Sequence, residues 1–466
     1  MKNKKRVCNE SDYFFNEWGD LKYAGKDENI LVPSYVGKKK VEKIGFYCFA
    51  FKSELKSVII PEGVTEIGQE AFHDCFNLES VVLPDSVTAI RYSAFSDCKN
   101  LKSIVIGKGL RRVGRDAFKN CTKLERIYIT DIKSWCSIKY EDSCLGASRL
   151  YLNGKPISDT VIIPEGTECI GEGAFCRLKN LKSVVIPDSV TIIESSAFNG
   201  CENLKDINIP DGVKRIGDHA FAYCKSLKSI VIPDSVEFIG RNAFVGCTGL
   251  TNAVVSGDMK DGVFGDCKSL EEVTISSGVT KIDFDIFSGC TRLARITVDE
   301  NNKFYSSDEH GVLYNKDKTE LIKCPVNCKI ARYVIPDSVI EMKYGAFKEC
   351  GYLREIIIGK NVEGISNSAF SECFNLTDVT IGNKVKCIGD RAFWRCHKIK
   401  KLIIPDSVTQ IGNCAFGDWG NRSNVIGKGL EEIMFAVSDY VPVTIDKEAY
   451  ELSAMQDLNV GPWGHR

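Results

Sequence analysis

LKSVVIPDSVTIIESSAFNGCEN, from Leu181 to Asn203, is one copy of a motif that recurs through most of this 466-residue chain. Its phenylalanine returns at intervals of 23 residues in three runs, and this slot takes 14 of the 24 phenylalanines in the sequence. A fixed period of this length predicts a repeat protein in which each copy forms one structural coil. The recurrent phenylalanines are Phe49, Phe72, Phe95, Phe118, Phe175, Phe198, Phe221, Phe244, Phe264, Phe287, Phe347, Phe370, Phe393 and Phe416.

The hydrophobic spacing changes within each copy, and this change predicts the shape of one coil. Ala197, Cys201 and Leu204 lie at i, i+4 and i+7, which predicts one face of a short helical turn. Ile207 and Ile209 alternate as in a strand, and the proline that follows begins a turn. A single coil of this size cannot enclose a core, so successive coils are expected to stack into a solenoid.

Two wider gaps in the phenylalanine series predict degenerate coils with insertions. The second gap contains GVLY and ELIKC on either side of NKDK, which predicts a β-hairpin. We expect an N-terminal cap and first coil in residues 1–45, and a repeat array in residues 46–435. The array would carry insertions near 128–160 and 299–330, and a C-terminal cap would occupy residues 436–466. No linker interrupts the pattern, so we expect one domain.

Composition and charge exclude several classes of protein. The chain has 61 Lys+Arg against 62 Asp+Glu, so no excess of positive charge favours nucleic acid. The basic opening MKNKKRVCNESDYFF is not followed by the apolar core of a secretory signal, and no apolar run is long enough for a membrane span. These features predict a cytoplasmic location without a membrane span. Well-sealed ends would favour a monomer.

Most cysteines follow the repeat rather than a disulfide or metal pattern. A leucine, Leu178, fills the same slot in one copy, which indicates an apolar environment and a column of buried thiols. Parallel side chains on successive coils suit neither a disulfide nor a tetrahedral metal site. Cys324 and Cys328 form a C-x3-C pair without four ligands nearby, so we expect no metal and no cofactor. The column comprises Cys75, Cys98, Cys121, Cys201, Cys224, Cys247, Cys267, Cys290, Cys350, Cys373 and Cys396.

The outward-facing strand positions are the candidate binding surface. Their β-branched side chains fit plain strand propensity, but a contiguous exposed apolar area also marks protein-binding sites. Aromatic residues of the insertions fit either interface anchors or packing on the solenoid. The five histidines fall in variable slots, and we expect no catalytic residue. The candidate binding residues are Ile59, Val82, Val105, Tyr128, Val185, Val231, Ile357 and Ile403 on the strands, Lys102, Lys182 and Lys228 beside them, and Trp135 and Tyr305 in the insertions.

The pattern LxxVxIPDSVTxIGxxAFxxC resembles the BspA-type leucine-rich repeat from about Trp18 to Phe435. The resemblance implies an α/β repeat fold, a right-handed leucine-rich-repeat solenoid with a parallel β-sheet on one face and short helical or extended segments on the other. It also implies adhesion or protein binding, and a surface or secreted location in place of the cytoplasm.

From the residues and the resemblance together we expect a non-catalytic scaffold that binds a protein through its sheet face and insertion loops. A glycan- or matrix-binding adhesin that uses the same surface is the alternative. An enzyme with a site on an insertion is a remote third possibility, because too few residues lie outside the repeats to form a catalytic domain.

Overall fold

The computed structural model describes residues 10–17, 19–141, 149–283, 285–417, 432–435 and 444–445. The described residues form two compact units, one of residues up to 227 with 235–247, and one of residues 228–234 with those from 248 onward. Each unit is a stack of short coils that build parallel sheets, as in a leucine-rich-repeat solenoid. The predicted single domain and its boundaries stay predictions. The C-terminal cap predicted for residues 436–466 lies outside the described residues, apart from the backbone of Thr444–Ile445.

In the first unit, every regular coil contributes one strand to a long-strand sheet and one to a short-strand sheet. The long strands are Asn29–Leu31, Ser57–Ile59, Ser80–Val82, Ser103–Ile106, Arg126–Ile129 and Arg149–Leu152, with Lys155–Pro156 antiparallel at the edge, and then Thr160–Ile162, Ser183–Val185 and Asp206–Ile207. The short strands are Lys43–Ile44, Glu66–Ile67, Ala89–Ile90, Arg112–Val113 and Lys139–Tyr140, and then Cys169–Ile170, Ile192–Ile193, Arg215–Ile216 and Phe238–Ile239.

The start of the first unit departs from this plan. The 3-10 helix Glu10–Asp12 leads into an antiparallel pair of strands, Tyr13–Phe15 and Leu21–Tyr23, and a small hairpin joins Tyr35–Val36 to Lys39–Lys40. Tyr13 and Tyr23 are buried and pack against Phe49, which begins the phenylalanine series. These aromatic rings cover the first coil, as the end of a solenoid requires.

The second unit repeats the same arrangement. Its long strands are Ser229–Val231, Asn252–Val255, Glu272–Ile275 and Arg295–Val298, then Arg332–Val334, Glu355–Ile357 and Asp378–Thr380, and then Lys401–Ile404 with Glu432–Phe435. Its short strands are Asp258–Met259, Glu341–Met342, Gly364–Ile365, Cys387–Ile388, Gln410–Ile411 and Thr444–Ile445. The predicted hairpin is confirmed: Leu313–Asn315 pairs antiparallel with both Tyr305–Ser307 and Glu320–Lys323, and the last of these strands joins Glu341–Met342 in parallel.

Stacked phenylalanine rings form the core of each unit. Phe198 and Phe244 lie on either side of Phe221, with ring centroids 5.3 and 5.2 Å away and the planes within 10° of parallel. In the second unit Phe347 and Phe393 enclose Phe370 at 5.3 and 5.2 Å, with the planes within 15° of parallel. Burial of the recurrent slot is therefore confirmed for most copies, although Phe118 and Phe416 are only half-buried.

The predicted helical turn is wrong, although Ala197, Cys201 and Leu204 are all fully buried. The segment around each Ala-Phe pair is a series of tight turns with a left-handed residue two positions before and two positions after the phenylalanine, as at Ser196 (φ 57°) and Gly200 (φ 74°). These conformations follow from where the backbone N–H groups bond. Alternate N–H groups donate within the coil, whereas the others donate to the next coil, and an α-helix would use them all internally.

The ladder between coils is regular. The Phe72 amide donates to the Ala94 carbonyl at 2.8 Å, and the Glu70 and Asp74 amides donate to the neighbouring coil at 2.9 and 3.0 Å. The amide of Cys75 instead donates to the Phe72 carbonyl of its own coil. Because of this division, the described residues contain just one α-helix, Ile132–Cys136 in the first insertion, where the Asp131 side chain caps the N-terminus.

Candidate binding surface

An unbroken row of apolar side chains crosses the seven-stranded sheet of the first unit. Each of its members pairs with the next across parallel strands, so the side chains project from the same side of the sheet. The row alternates with buried residues such as Val58 and Ile60, which face the core. We call it the apolar row, and it consists of Leu31, Ile59, Val82, Val105, Tyr128 and Tyr151.

The side chains around the apolar row leave it partly exposed to solvent. The adjacent outward row runs from Asn29 through Ser57, Ser80 and Ser103 to Arg126 and Arg149, so short side chains flank the aliphatic part of the apolar row and two arginines flank its tyrosines. Leu31 and Ile59 are 45% and 46% exposed, whereas the later members are half-buried by their neighbours. Tyr128 and Tyr151 stack on each other with centroids 4.6 Å apart and extend the row with aromatic surface.

The lysines beside the strands are paired with acids. Lys102 lies 3.0 Å from Glu79, and Lys182 lies 3.1 Å from Asp159, each acid coming from the preceding coil. Such exposed pairs contribute little stability, but they neutralise the charge that the lysines would otherwise present. Lys228 is exposed in the second unit.

Shorter outward rows occupy the other long-strand sheets. Val185 is half-exposed, and it continues from Ile162 in the first unit. In the second unit Val231, 62% exposed, leads to Val254 and then to threonines. Ile357 is half-buried and Ile403 is 52% exposed. These rows are shorter or more polar than the apolar row of the first unit.

Three exposed members of these rows escaped the sequence analysis. Leu31, Ile162 and Val334 occupy the same outward slot, and they are 45%, 64% and 51% exposed. Leu31 belongs to the opening coil, and the other two come directly after the insertions, where the phenylalanine count is interrupted. The signal was nevertheless present, because each lies two residues before the recurrent proline in LVP, VIIP or YVIP.

Trp135 was predicted as a binding residue, and this prediction is wrong. Its side chain is 4% exposed, and its indole Nε1 donates a 2.7 Å hydrogen bond to the Ala174 carbonyl. In regular coils the phenylalanine amide of one coil donates to the corresponding alanine carbonyl of the next, as Phe72 does to Ala94. The indole therefore replaces a backbone donor that the degenerate coil lacks, and Trp135 is a packing residue.

Tyr305 is half-buried, and its hydroxyl accepts a hydrogen bond from the Ile282 amide at 3.0 Å. Its phenol thus helps to attach the second insertion to the preceding coil. Phe304 beside it is exposed, while Tyr314 of the hairpin is fully buried. The insertion places one aromatic ring in solvent and uses the other two largely for packing.

The cysteine column is a ladder of thiols. The described cysteines are present as thiols, and the column is buried except at half-buried Cys121. The Cys75 thiol donates to the Phe49 carbonyl at 3.0 Å, and Cys201 donates to Phe175 at the same distance. Burial raises the pKa of Cys75 and Cys201 to about 12, so these thiols remain protonated and unreactive near neutral pH.

One histidine lies beside carboxylates that the sequence spacing did not reveal. His73 Nε2 is 3.4 Å from Asp74 Oδ2, and the ligand atoms of His73, Asp74 and Asp97 all lie within 4.8 Å of one another. Asp97 belongs to the next coil, 23 residues away, so only the stacking brings it close. The group has three ligand atoms, fewer than the four of a structural zinc site, and we assign no metal to it.

The comparison with known proteins agrees with this architecture. The pattern of the BspA type leucine rich repeat region (6 copies) matches residues 28–143, 153–261, 257–327 and 322–436. A leucine-rich repeat protein from Bacteroides ovatus is 24% identical with a TM-score of 0.51, over 86% of this chain and 95% of that one. None of the curated proteins compared matches the chain.

Two further solved structures are similar over most of their length. A leucine rich cell surface protein from Faecalibacterium prausnitzii is 25% identical, with a TM-score of 0.42, over 92% of this chain and 89% of that one. The pneumococcal vaccine antigen PcpA is 19% identical, with a TM-score of 0.43, over 95% and 92%. Within the described residues, no helix has the length and apolar character of a membrane span.

Proposed function

Because the chain belongs to the BspA-type leucine-rich repeat family, we propose that it is a non-catalytic scaffold that binds a protein partner through the apolar row of its first unit. The insertion loops would supply additional contacts at the edge of that surface. The observation that supports this proposal is the continuity of the row, in which six outward side chains follow one another in register.

The dimensions of the row suggest the form of the ligand. Five steps between strands of about 4.8 Å give a length of about 24 Å, which an extended chain of roughly seven residues would span at about 3.3 Å per residue. Burying the exposed half of an isoleucine or leucine is worth about 1 kcal/mol, so several such contacts reach a useful affinity. The proposed partner therefore presents an extended apolar segment.

The electrostatics of the face support an apolar mode of binding. Lys56 and Lys102 are each paired with a glutamate at 3.0 Å, so neutral ion pairs border the aliphatic part of the row, whereas Arg126 and Arg149 border its tyrosines. Binding to the aliphatic part of the row would depend weakly on ionic strength, in contrast to a partner held by unpaired lysines.

The cellular location of the protein is also part of the proposal. Members of this family are often cell-surface proteins, whereas the many thiols of this chain fit a reducing environment. We propose that the protein works in a reducing setting, which is either the cytoplasm or the surface of an anaerobic cell. We also propose a monomer, since Tyr13 and Tyr23 cover the first coil and leave no open edge for stacking at that end.

An affinity capture from the native cell, with matched variants, tests the proposal. Ile59→Glu places a charge at the second position of the apolar row, whereas Thr88→Glu places the same charge at an exposed position outside it. We expect the wild type and Thr88→Glu to capture the same protein, and Ile59→Glu to lose it. Equal capture by both variants would refute binding through the row. Capture that survives proteolysis of the extract but not glycosidase treatment would favour a glycan ligand instead.

A further inference from the structure

Three thiols meet at the coil that follows the second insertion. The Cys324 amide donates to the Ala346 carbonyl at 2.7 Å, as the Phe347 amide does to Ala369 in the next coil. Cys324 therefore occupies the phenylalanine slot of a degenerate coil, and a thiol lies where other coils place a ring. Its neighbour in the cysteine column, Cys350, lies with its sulfur 4.0 Å from the Cys324 carbonyl oxygen.

A tight turn brings a third thiol to the same place. The Cys328 amide donates to the Pro325 carbonyl at 3.0 Å, which folds the chain back toward Cys324. The Cys324 thiol is close enough to those of Cys328 and Cys350 to influence their protonation, and it lies 3.7 Å from the Pro325 carbonyl oxygen. Cys324 and Cys350 are each 3% exposed, whereas Cys328 is half-buried, so a small solute reaches this cluster through Cys328.

The surroundings of Cys328 favour its thiolate. The interaction with the Cys324 thiol, the nearby positive charge of Arg295 and a hydrogen bond with the Ile330 backbone lower the pKa of Cys328, and they outweigh the opposing effects of its partial burial and of the negative charge of Asp308. Interactions with the thiols of Cys328 and Cys350, together with burial, raise the pKa of Cys324. Cys324 therefore acts as a proton donor to a more acidic neighbour, which is the arrangement of a nucleophilic thiol beside a second thiol.

We propose that Cys328 is an oxidation-sensitive site, which reacts with a peroxide and then forms an intrachain disulfide with Cys324. The Cys328 thiolate attacks one peroxide oxygen, an S–O bond forms, the O–O bond breaks, and the leaving oxygen departs as water after protonation. Cys324 then attacks the sulfenic sulfur, an S–S bond forms, and the hydroxyl leaves as a second water. In total, two thiols are oxidised and one hydrogen peroxide is reduced to two waters.

The disulfide would act on the second insertion. The reduced Cys328 thiol donates to the His310 carbonyl at 3.2 Å, at the tip of the insertion. Oxidation removes that hydrogen, so the hydrogen bond between Cys328 and the turn that contains His310, between Tyr305–Ser307 and Leu313–Asn315, is lost. The proposed modification thus couples the redox environment to the shape of one of the exposed loops.

A titration of the full reduced chain with hydrogen peroxide tests the site, followed by mass spectrometry of intact protein and peptides. We expect the wild type to lose two thiols first, mapped to Cys324 and Cys328. We expect Cys324→Ser to stop at a sulfenic acid on Cys328 that a dimedone probe traps, and Cys328→Ser to react at least about tenfold more slowly. The control Cys396→Ser removes one member of another thiol pair, which is buried with Cys373, and should behave as the wild type does.

Two results would overturn the proposal. One is first oxidation at any cysteine other than Cys328, and the other is a disulfide from Cys328 to Cys350. A measurement that needs no variant guards against misfolding of the serine variants. The pH dependence of iodoacetamide labelling at Cys328 in the wild type should have its midpoint below the value of an ordinary thiol, and a midpoint above that value would contradict the assignment.

Discussion

Removal of one ring from the phenylalanine stack should destabilise the surrounding coils far more than removal of an exposed ring two residues away. Phe221 is fully buried between Phe198 and Phe244. Truncation of a buried phenylalanine typically costs about 3–5 kcal/mol, and the two lost ring contacts, at about 0.5–1.5 kcal/mol each, account for about 1–3 kcal/mol of that loss. Tyr223→Ala is the matched control, because its ring is 49% exposed, and we expect a loss of about 1 kcal/mol.

The assay must resolve single coils, because long repeat arrays do not unfold in one step. Hydrogen exchange of the intact chain, read by mass spectrometry of peptides, meets this need. A loss of about 3–5 kcal/mol corresponds to exchange that is roughly 150- to 5,000-fold faster when exchange follows the opening equilibrium. Because each coil contacts only its neighbours, the faster exchange should be confined to the coils of Phe198, Phe221 and Phe244.

Either of two results would refute this reasoning. Equal effects of Phe221→Ala and Tyr223→Ala would show that the buried ring contributes no more than an exposed one. Faster exchange in the distant coil of Phe72, which lies in the same unit, would show that stability is not a sum over neighbouring coils.

Two further predictions follow from buried polar groups. Asn302→Ala should cost about 3–4 kcal/mol, read by hydrogen exchange of the surrounding peptides, because the Asn302 amide makes four hydrogen bonds of 2.8–3.0 Å, two to carbonyls of the preceding coil and two from amides of the second insertion. Exposed Asn301→Ala should exchange as the wild type does. The buried thiols should make the protein sensitive to alkali: burial raises the pKa of Cys201 and Cys247 from 9.0 to about 12, so their stabilising contribution is complete below pH 9 and is lost between pH 9 and 12. The double variant Cys201→Ala and Cys247→Ala should lose less of its melting temperature over that interval than the wild type, and an equal or steeper loss would contradict the assignment.

The sequence was sufficient to predict the stacking and its core. A 23-residue period assigns Phe221 and Cys224 to fixed slots in every coil, and both are fully buried. The local conformation between those slots could not be predicted in the same way. The spacing of Ala197 and Cys201 fits a helix, but hydrogen bonds to the next coil decide the backbone, and a single coil read by itself does not contain its neighbour.

The candidate surface was only partly predictable for a related reason. Ile59 and Val185 follow from the period, since an outward slot beside an inward slot has to face solvent. Trp135 lies in an insertion outside the period, so the direction of its side chain could not be predicted, and its hydrogen bond to Ala174 joins residues 39 positions apart. The carboxylates beside His73 likewise meet across coils.

The alternating use of backbone amides in the Ala-Phe turns limits how such a gene can change in length. The turn of every regular coil presents amides to the next coil. Only a turn of the same shape there places its carbonyls to accept them, as the Ala94 carbonyl accepts the Phe72 amide. Duplication or loss of a whole unit preserves that match at both new junctions, whereas a deletion of part of a unit leaves polar groups without partners. Trp135, whose indole donates to Ala174, indicates the compensation that a shortened or irregular unit requires. Variation in the number of repeats among relatives should therefore arise in whole units, with irregular units retained where a side chain supplies the missing donor.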